Sequence, residues 1–359
     1  MMRWPRRVGA ASVGLSLSVV AAAGYASAGK RPTLIAPLRG EPAPAPQQVE
    51  FRPYYTGIGS FGSVLVWSDW QPGDGRWHLL LRRSGRISVL PTPTGSRSIE
   101  AALGPGPNGQ TTLAYVDCSP SCQVFIANVD GSDPRVVPGS VGASRPTIWG
   151  NNVAWRLGTT RIVTSRLNGT GRRTLAGIPR RKCFQNEGKP GISCSRPEDG
   201  KVEALALYRD QLAFIDSFRL PDGYEGHNEV RTESISGGPQ RLVAMLGIGI
   251  GAESYVGPSW FGGKLYFQYQ GGGVTFYLYR FDPSRRTYSR TLAHKYLSGL
   301  SMADANHAYG ASAPEPNFGP PCETSHECDI WLSPPLKFTP SKAPVPVPRG
   351  SALATALIA

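Results

Sequence analysis

The stretch "FIANVDGSDPRVVPG" (Phe125 to Gly139) is written again, slightly altered, as "VTSRLNGTGRRTLAG" (Val163 to Gly177). Each reads as a strand, a polar residue and a glycine at a tight turn, an Arg-bearing strand, then glycine. Asp130-Gly131, Asn168-Gly169, Gly237-Gly238 and Ser84-Gly85 all pair residues that tolerate the positive φ of two-residue hairpins. A chain that repeats one hairpin is building a repeat architecture, so the number of copies decides the fold.

A short strand ending in an aromatic residue counts them. It occurs as "VLVW" (Val64 to Trp67), "TLAY" (Thr112 to Tyr115), "NVAW" (Asn152 to Trp155), "QLAF" (Gln211 to Phe214), "KLYF" (Lys264 to Phe267) and "NHAY" (Asn306 to Tyr309). The successive spacings are 48, 40, 59, 53 and 42 residues, near the roughly 40–50 of a propeller blade with loop insertions. Each unit parses into four strands. Such a sheet cannot bury both faces alone, but six arranged radially can. Glycine (43) and proline (33) are abundant and no long helix-period stretch is present, which agrees with an all-β chain. The expected fold is a six-bladed β-propeller of four-stranded antiparallel blades, with the six aromatic residues as interblade core.

The units "VFIANVDGSDPRVVPG" and "IVTSRLNGTGRRTLAG" resemble the repeats of TolB-like six-bladed β-propellers. The motif is well kept in the second and third units and degenerates in the others. The resemblance implies the propeller alone, without the separate α/β domain that precedes it in TolB. It therefore carries over no role in envelope translocation, because such repeats host many unrelated functions.

The chain starts with a basic segment (Arg3, Arg6, Arg7), an apolar run from Val8 to Ala23 and a small-residue site at Ala26-Ser27-Ala28. That layout is a secretory signal peptide over 1–28. Residues 29–48 read as a Pro-rich linker, 49–339 as the propeller and 340–359 as a Pro-rich flexible tail. No later segment is apolar enough to cross a bilayer. The implied setting is secreted or extracytoplasmic, at the cell envelope, with the protein a monomer. Six cysteines in the exported part suit that oxidising setting. Nearest neighbours would pair Cys118 with Cys122, Cys183 with Cys194, and Cys322 with Cys328. A zinc site is the rival reading, but the short paired spacings or nearby histidines that it needs are absent.

The net charge of +13 falls to +10 when Arg3, Arg6 and Arg7 leave with the signal. A basic exported protein can favour an anionic envelope polymer. The charges are scattered and carry no interleaved aromatics, so nucleic acid is not expected.

In an antiparallel blade, second-to-third loops and the links between blades emerge on one face. The long segments "WQPGDGR", "CSPSC", "RLPDGYEGHN", "APEPNFGPPCETSHEC" and "IPRRKCFQNEGKPGISCSRPEDG" all fall there, with every cysteine. We call this the loop face and its opposite the turn face. Variable loops on a rigid scaffold usually carry recognition. The candidate binding residues on the loop face are Trp70, Asp74, Arg180, Arg181, Phe184, Tyr224, His227, Phe318 and His326. An aromatic there can stack on a sugar or anchor a peptide, although a surface ring often serves only its own loop's core.

No H-E-x-x-H or G-x-S-x-G motif is present, so no catalytic residue, metal or cofactor is assigned. His307, at a position held by Leu or Val in other repeats, reads as buried and hydrogen-bonded. The expected function is a non-catalytic binding or scaffold protein for a protein or envelope polymer. The alternative is an extracytoplasmic glycan hydrolase or lyase with its site in the central channel. Acidic or His side chains converging there from different blades would favour the enzyme.

Closing the ring requires an outer strand for the last blade. The segment "QQVEFRPYY" (Gln47 to Tyr55) is the preferred candidate, because "VEF" alternates and feeds straight into the first inner strand; "PLKF" (Pro335 to Phe338) is its rival.

Overall fold

The computed structural model describes residues 33–39, 58–71, 73–175, 177–179, 183–185, 192–195, 200–219, 226–246, 254–271, 275–293, 299–312 and 327–344. These form an all-β propeller of six antiparallel blades, with no helix among them. Blades 1 to 5 run in chain order over 59–89, 101–136, 143–174, 201–246 and 254–292. Blade 6 takes three strands from 299–332 and its outer strand, Thr33–Arg39, from the other end of the chain.

Each aromatic of the repeated strand lies on the second strand of its blade. Trp67, Trp155, Phe214 and Phe267 are 0% exposed, Tyr115 1% and Tyr309 4%. They sit in apolar clusters that join neighbouring blades. Leu65 and Trp67 of blade 1, for example, pack with Tyr309, Ala311 and Ile330 of blade 6. The ring is thus closed by side-chain packing as well as by strand pairing.

Polar bonds between successive inner strands repeat around the axis. Thr147 Oγ1 accepts the Leu207 amide at 3.0 Å and Ser259 Oγ accepts the Met302 amide at 3.0 Å. At the closure, the Ser60 amide donates to Ser301 Oγ at 3.0 Å, while Ser60 Oγ donates to the Met302 carbonyl at 2.8 Å. The strands approach so closely that a Cβ on Gly104 would lie 2.2 Å from the Ile148 carbonyl oxygen.

The repeated turns share one local device. Asp130, Asn168 and Asp282 each accept, at Oδ1, both the amide and the hydroxyl of the residue two positions on: Ser132, Thr170 and Ser284. The Ser132 hydroxyl and amide hold the Asp130 carboxyl below its ordinary value.

Three expectations are corrected. The closing strand is Thr33–Arg39, inside the segment read as linker, and not Gln47 to Tyr55, which lies outside the described residues. Pro37 disguised it, yet an outer strand has one edge without a ladder partner and there tolerates a residue lacking N–H. The rival Pro335 to Phe338 does not pair in blade 6. The next residues, Thr339–Ser341, form a fifth strand on the outer strand Thr287–Leu292 of blade 5, so the tail begins later than 340. His307 is half-exposed in a turn, with Nδ1 2.8 Å from Asp304 Oδ2, because the second strand starts only at Ala308.

Gly104→Ala is expected to destabilise the fold by about 1–3 kcal/mol through over-packing against backbone. Gly73→Ala, whose added Cβ meets nothing within 4 Å, is expected to leave the urea midpoint unchanged. Equal midpoints for the two variants would contradict the close-approach account. Deletion of Thr33–Arg39 is expected to lower Tm, since blade 6 loses its outer strand.

Candidate functional site

Two described hairpin loops on the loop face are bridged. Cys118 and Cys122 are bonded just beyond Asp117 and Gln123, the last paired residues of their hairpin in blade 2. Cys183 and Cys194 are bonded where they face each other in a small ribbon, Cys183–Gln185 with Ile192–Cys194, on the link between blades 3 and 4. Rings of this size remove unfolded-chain freedom worth about 2–3 kcal/mol each. Cys328 takes its place on strand Glu327–Leu332, while Cys322, its expected partner, lies outside the described residues. Arg97, on the link between blades 1 and 2, donates through Nη2 to Cys118 Sγ at 2.9 Å and also to Cys122 Sγ. That guanidinium ties the link to the bridged loop.

The blade 1 hairpin carries Trp70 and Asp74. Trp70 is next to last in its second strand, Val64–Gln71, half-buried, with its ring edge-on to Trp77 at 5.9 Å. Asp74 is exposed; its Oδ1 accepts the Arg76 amide at 3.1 Å and its Oδ2 lies 2.7 Å from His78 Nε2. Arg76 donates to Thr94 Oγ1 at 3.1 Å, and Trp77 exchanges backbone bonds with Gly95. The hairpin is therefore held down on the neighbouring link. Phe184 and His227 lie on strands, opposite Ser193 and Phe218 respectively. Arg180, Arg181, Tyr224, Phe318 and His326 lie outside the described residues.

Beneath these loops the six inner strands enclose a cavity of about 90 Å³, lined from every blade by residues including Ile58, Ala101, Arg145, Ala204, Pro258 and Leu300. Its charged lining is Glu100, on the link before blade 2, and Arg145 of blade 3, with the Glu203–Lys201 pair of blade 4 close by. Arg145 Nε stands 3.3 Å from Glu100 Oε1, and the Arg145 amide donates to Glu100 Oε2. Glu203 Oε1 is 2.7 Å from Lys201 Nζ and accepts the Ser217 hydroxyl at 2.8 Å.

Backbone irregularity aims these groups. The inner strands of blades 3, 4 and 5 each shift register, between Ser144 and Thr147, Val202 and Ala204, and Val256 and Ser259. A bulge re-aims the unpaired residue; here Arg145 has φ 53° and Gly257 φ 111°. All three bulges fall early in strands that run away from the loop face, so the charged residues sit near the channel end beneath the bridged loops. Sequence reasoning missed them. Arg145-Pro146 and Gly257-Pro258 were the available signal, since proline inside a central strand marks a bulge.

Burial pushes the Glu203 carboxyl up, but Lys201, the Ser217 hydroxyl and the Arg145 guanidinium outweigh it and leave the group below its ordinary value. A general acid requires the opposite shift. Among the described residues, no group of three or more His, Cys, Asp or Glu side chains is placed to hold a metal ion, and no helix is long and apolar enough to cross a membrane.

No protein-family model matches the chain, and no curated protein matches it. Solved structures do. A protein assigned as TolB from Agrobacterium tumefaciens superposes with a TM-score of 0.36 at 14% identity, over 55% of this chain and 66% of its own. A chain of the mitotic checkpoint complex gives 0.43 at 9%, over 83% and 95%. The YCF48 protein of Cyanidioschyzon merolae gives 0.39 at 8%, over 81% and 86%. The likeness is one of fold.

With its folded pKa below the unfolded value of 4.5, Glu203 contributes stability that is complete above that pH and is lost as pH falls through the folded value. Glu203→Gln is therefore expected to flatten the acid limb of the stability profile below pH 4.5. Urea midpoints collected in pH steps check this; an unchanged acid limb would contradict the assignment.

Proposed function

We propose that this chain is an exported binding or scaffold protein that recognises a protein or an anionic envelope polymer through the loop face of its propeller. The observation that carries the reading is the pair of disulfides on loops that leave the same face. Each closes a loop of the rim and not the core, which restricts loop geometry where a partner would be met. Preorganised loops bind with a smaller ordering cost.

The part of the channel that the described residues line is small. Sites for drug-sized ligands usually occupy roughly 300–1,000 Å³, and the cavity here is about 90 Å³. A glycan hydrolase or lyase centred in the channel would draw on Glu100 and Glu203, each of which lies near Arg145. The ion pairs of both residues and the depressed Glu203 carboxyl count against it. Within the binding reading, Arg180 and Arg181 supply charge for an anionic partner. Trp70, Asp74, Phe184, Tyr224, His227, Phe318 and His326 supply rings and polar contacts. The bridges and the basic charge suit a secreted or extracytoplasmic location.

Envelope extract passed over immobilised, oxidised protein tests the proposal. Wild type is expected to retain a component that the triple variant Arg180→Ala, Arg181→Ala, Phe184→Ala fails to retain at unchanged Tm. Equal retention by both proteins would overturn the loop-face assignment.

A further inference from the structure

The inner strands end at the turn face, and four of them bring a large ring to the channel mouth there. Phe61 and Trp149 close strands Gly59–Phe61 and Ala143–Trp149; Tyr208 closes Lys201–Tyr208; Trp260 is next to last in Ser254–Phe261. The rings form one continuous series. Phe61 meets Trp149 at 6.0 Å between centroids, Trp149 meets Tyr208 at 4.4 Å, and Tyr208 stacks on Trp260 at 5.7 Å. All four side chains are half-buried, so each keeps part of its surface open to solvent.

Blade 2 lies between Phe61 and Trp149 without interrupting the series. Its inner strand ends in Gly104-Pro105 and is followed by Gly106, so two of the three positions offer no side chain. Trp260 is fixed in place by its indole N–H, which donates to the Ala206 carbonyl at 3.1 Å. Arg209 lies over the Tyr208 ring at 5.4 Å.

Charge selects what such a surface can take. The six turns that join first to second strands surround this mouth: 62–63, 106–110, 150–151, 209–210, 262–263 and 303–307. They hold one cation, Arg209, and two carboxylates, Asp210 and Asp304, so their sum is 1 − 2 = −1 with His307 neutral. On a chain of net charge +13, this is a poor place for a polyanion. The remaining polar side chains include the carboxamides of Asn108, Asn151 and Asn306, which donate and accept without charge.

We propose that the turn-face mouth is a second binding site, distinct from the loop face, and that it takes a neutral pyranose chain. Aromatic faces carry negative quadrupole potential, which attracts the C–H bonds on the apolar side of a sugar ring. The carboxamides of the surrounding turns then meet its hydroxyl edge. A succession of rings, where one alone would serve a single sugar, suits an oligosaccharide laid across the mouth.

Calorimetric titration of the full chain with cellotetraose, maltotetraose and chitotetraose tests this, with tetragalacturonate and deca-proline as competing chemistries. At least one neutral tetrasaccharide is expected to bind, more tightly than either competitor. Tyr208→Ala is expected to weaken that binding by about tenfold, the equivalent of about 1.4 kcal/mol, with Tm little changed. Saturation-transfer NMR on the wild type supplies a readout that does not depend on a variant folding: irradiating aromatic protons should label the sugar C–H protons. The proposal fails if no neutral tetrasaccharide binds at millimolar concentration or if tetragalacturonate or deca-proline binds more tightly. It fails equally if a folded Tyr208→Ala keeps wild-type affinity, or if no aromatic-to-sugar transfer is seen.

Discussion

Six inner strands converge on one axis, and their mutual approach limits everything built around them. Where Gly104 faces the Ile148 carbonyl there is no room for even a methyl group. Where side chains do fit, short hydroxyls such as Thr147 and Ser259 bond the next strand's backbone. Packing at this density leaves little freedom to shift one blade alone, because every blade touches two others. The large rings on the second strands fill the widening space between blades.

The same crowding explains the form of the channel. A regular strand would spend all its backbone bonds on its own blade and present alternating side chains to the axis. The register shifts in blades 3, 4 and 5 release one or two residues from the ladder and turn them inward. In blades 3 and 4 this delivers Arg145 and Glu203; in blade 5 it delivers Gly257-Pro258, which carries no charge. Glu100 and Lys201 then pair with these two charges.

The two ends of the ring are chemically different. The loop face carries two bridged loops, one of them pinned by Arg97, and a blade 1 hairpin held by the Trp77–Gly95 pairing. The turn face carries short turns and a series of four rings. This difference follows from strand alternation: insertions accumulate on one side, and inner-strand ends are exposed on the other. The two sites proposed above therefore lie at opposite ends of the ring.

The six repeated strands, their buried aromatic residues and the two described disulfides were legible in the residue order. Each depends on short-range patterning: alternation, glycine turns, and cysteines close enough to meet across one hairpin. Three things depended on contacts between distant segments and came only from the tertiary structure. Thr33–Arg39 pairs with a strand from the far end of the chain, as Arg39 with Glu327 shows, and no local pattern encodes a partner so remote. Bulges in blades 3 and 4 turn Arg145 and Glu203 out of their ladders, and Arg145 there meets Glu100 of the preceding link, because one extra residue in a strand reverses which side chains face the axis. The ring series joins Phe61 to Trp149 across a blade whose contribution is the absence of side chains, which is visible only when three blades are placed side by side.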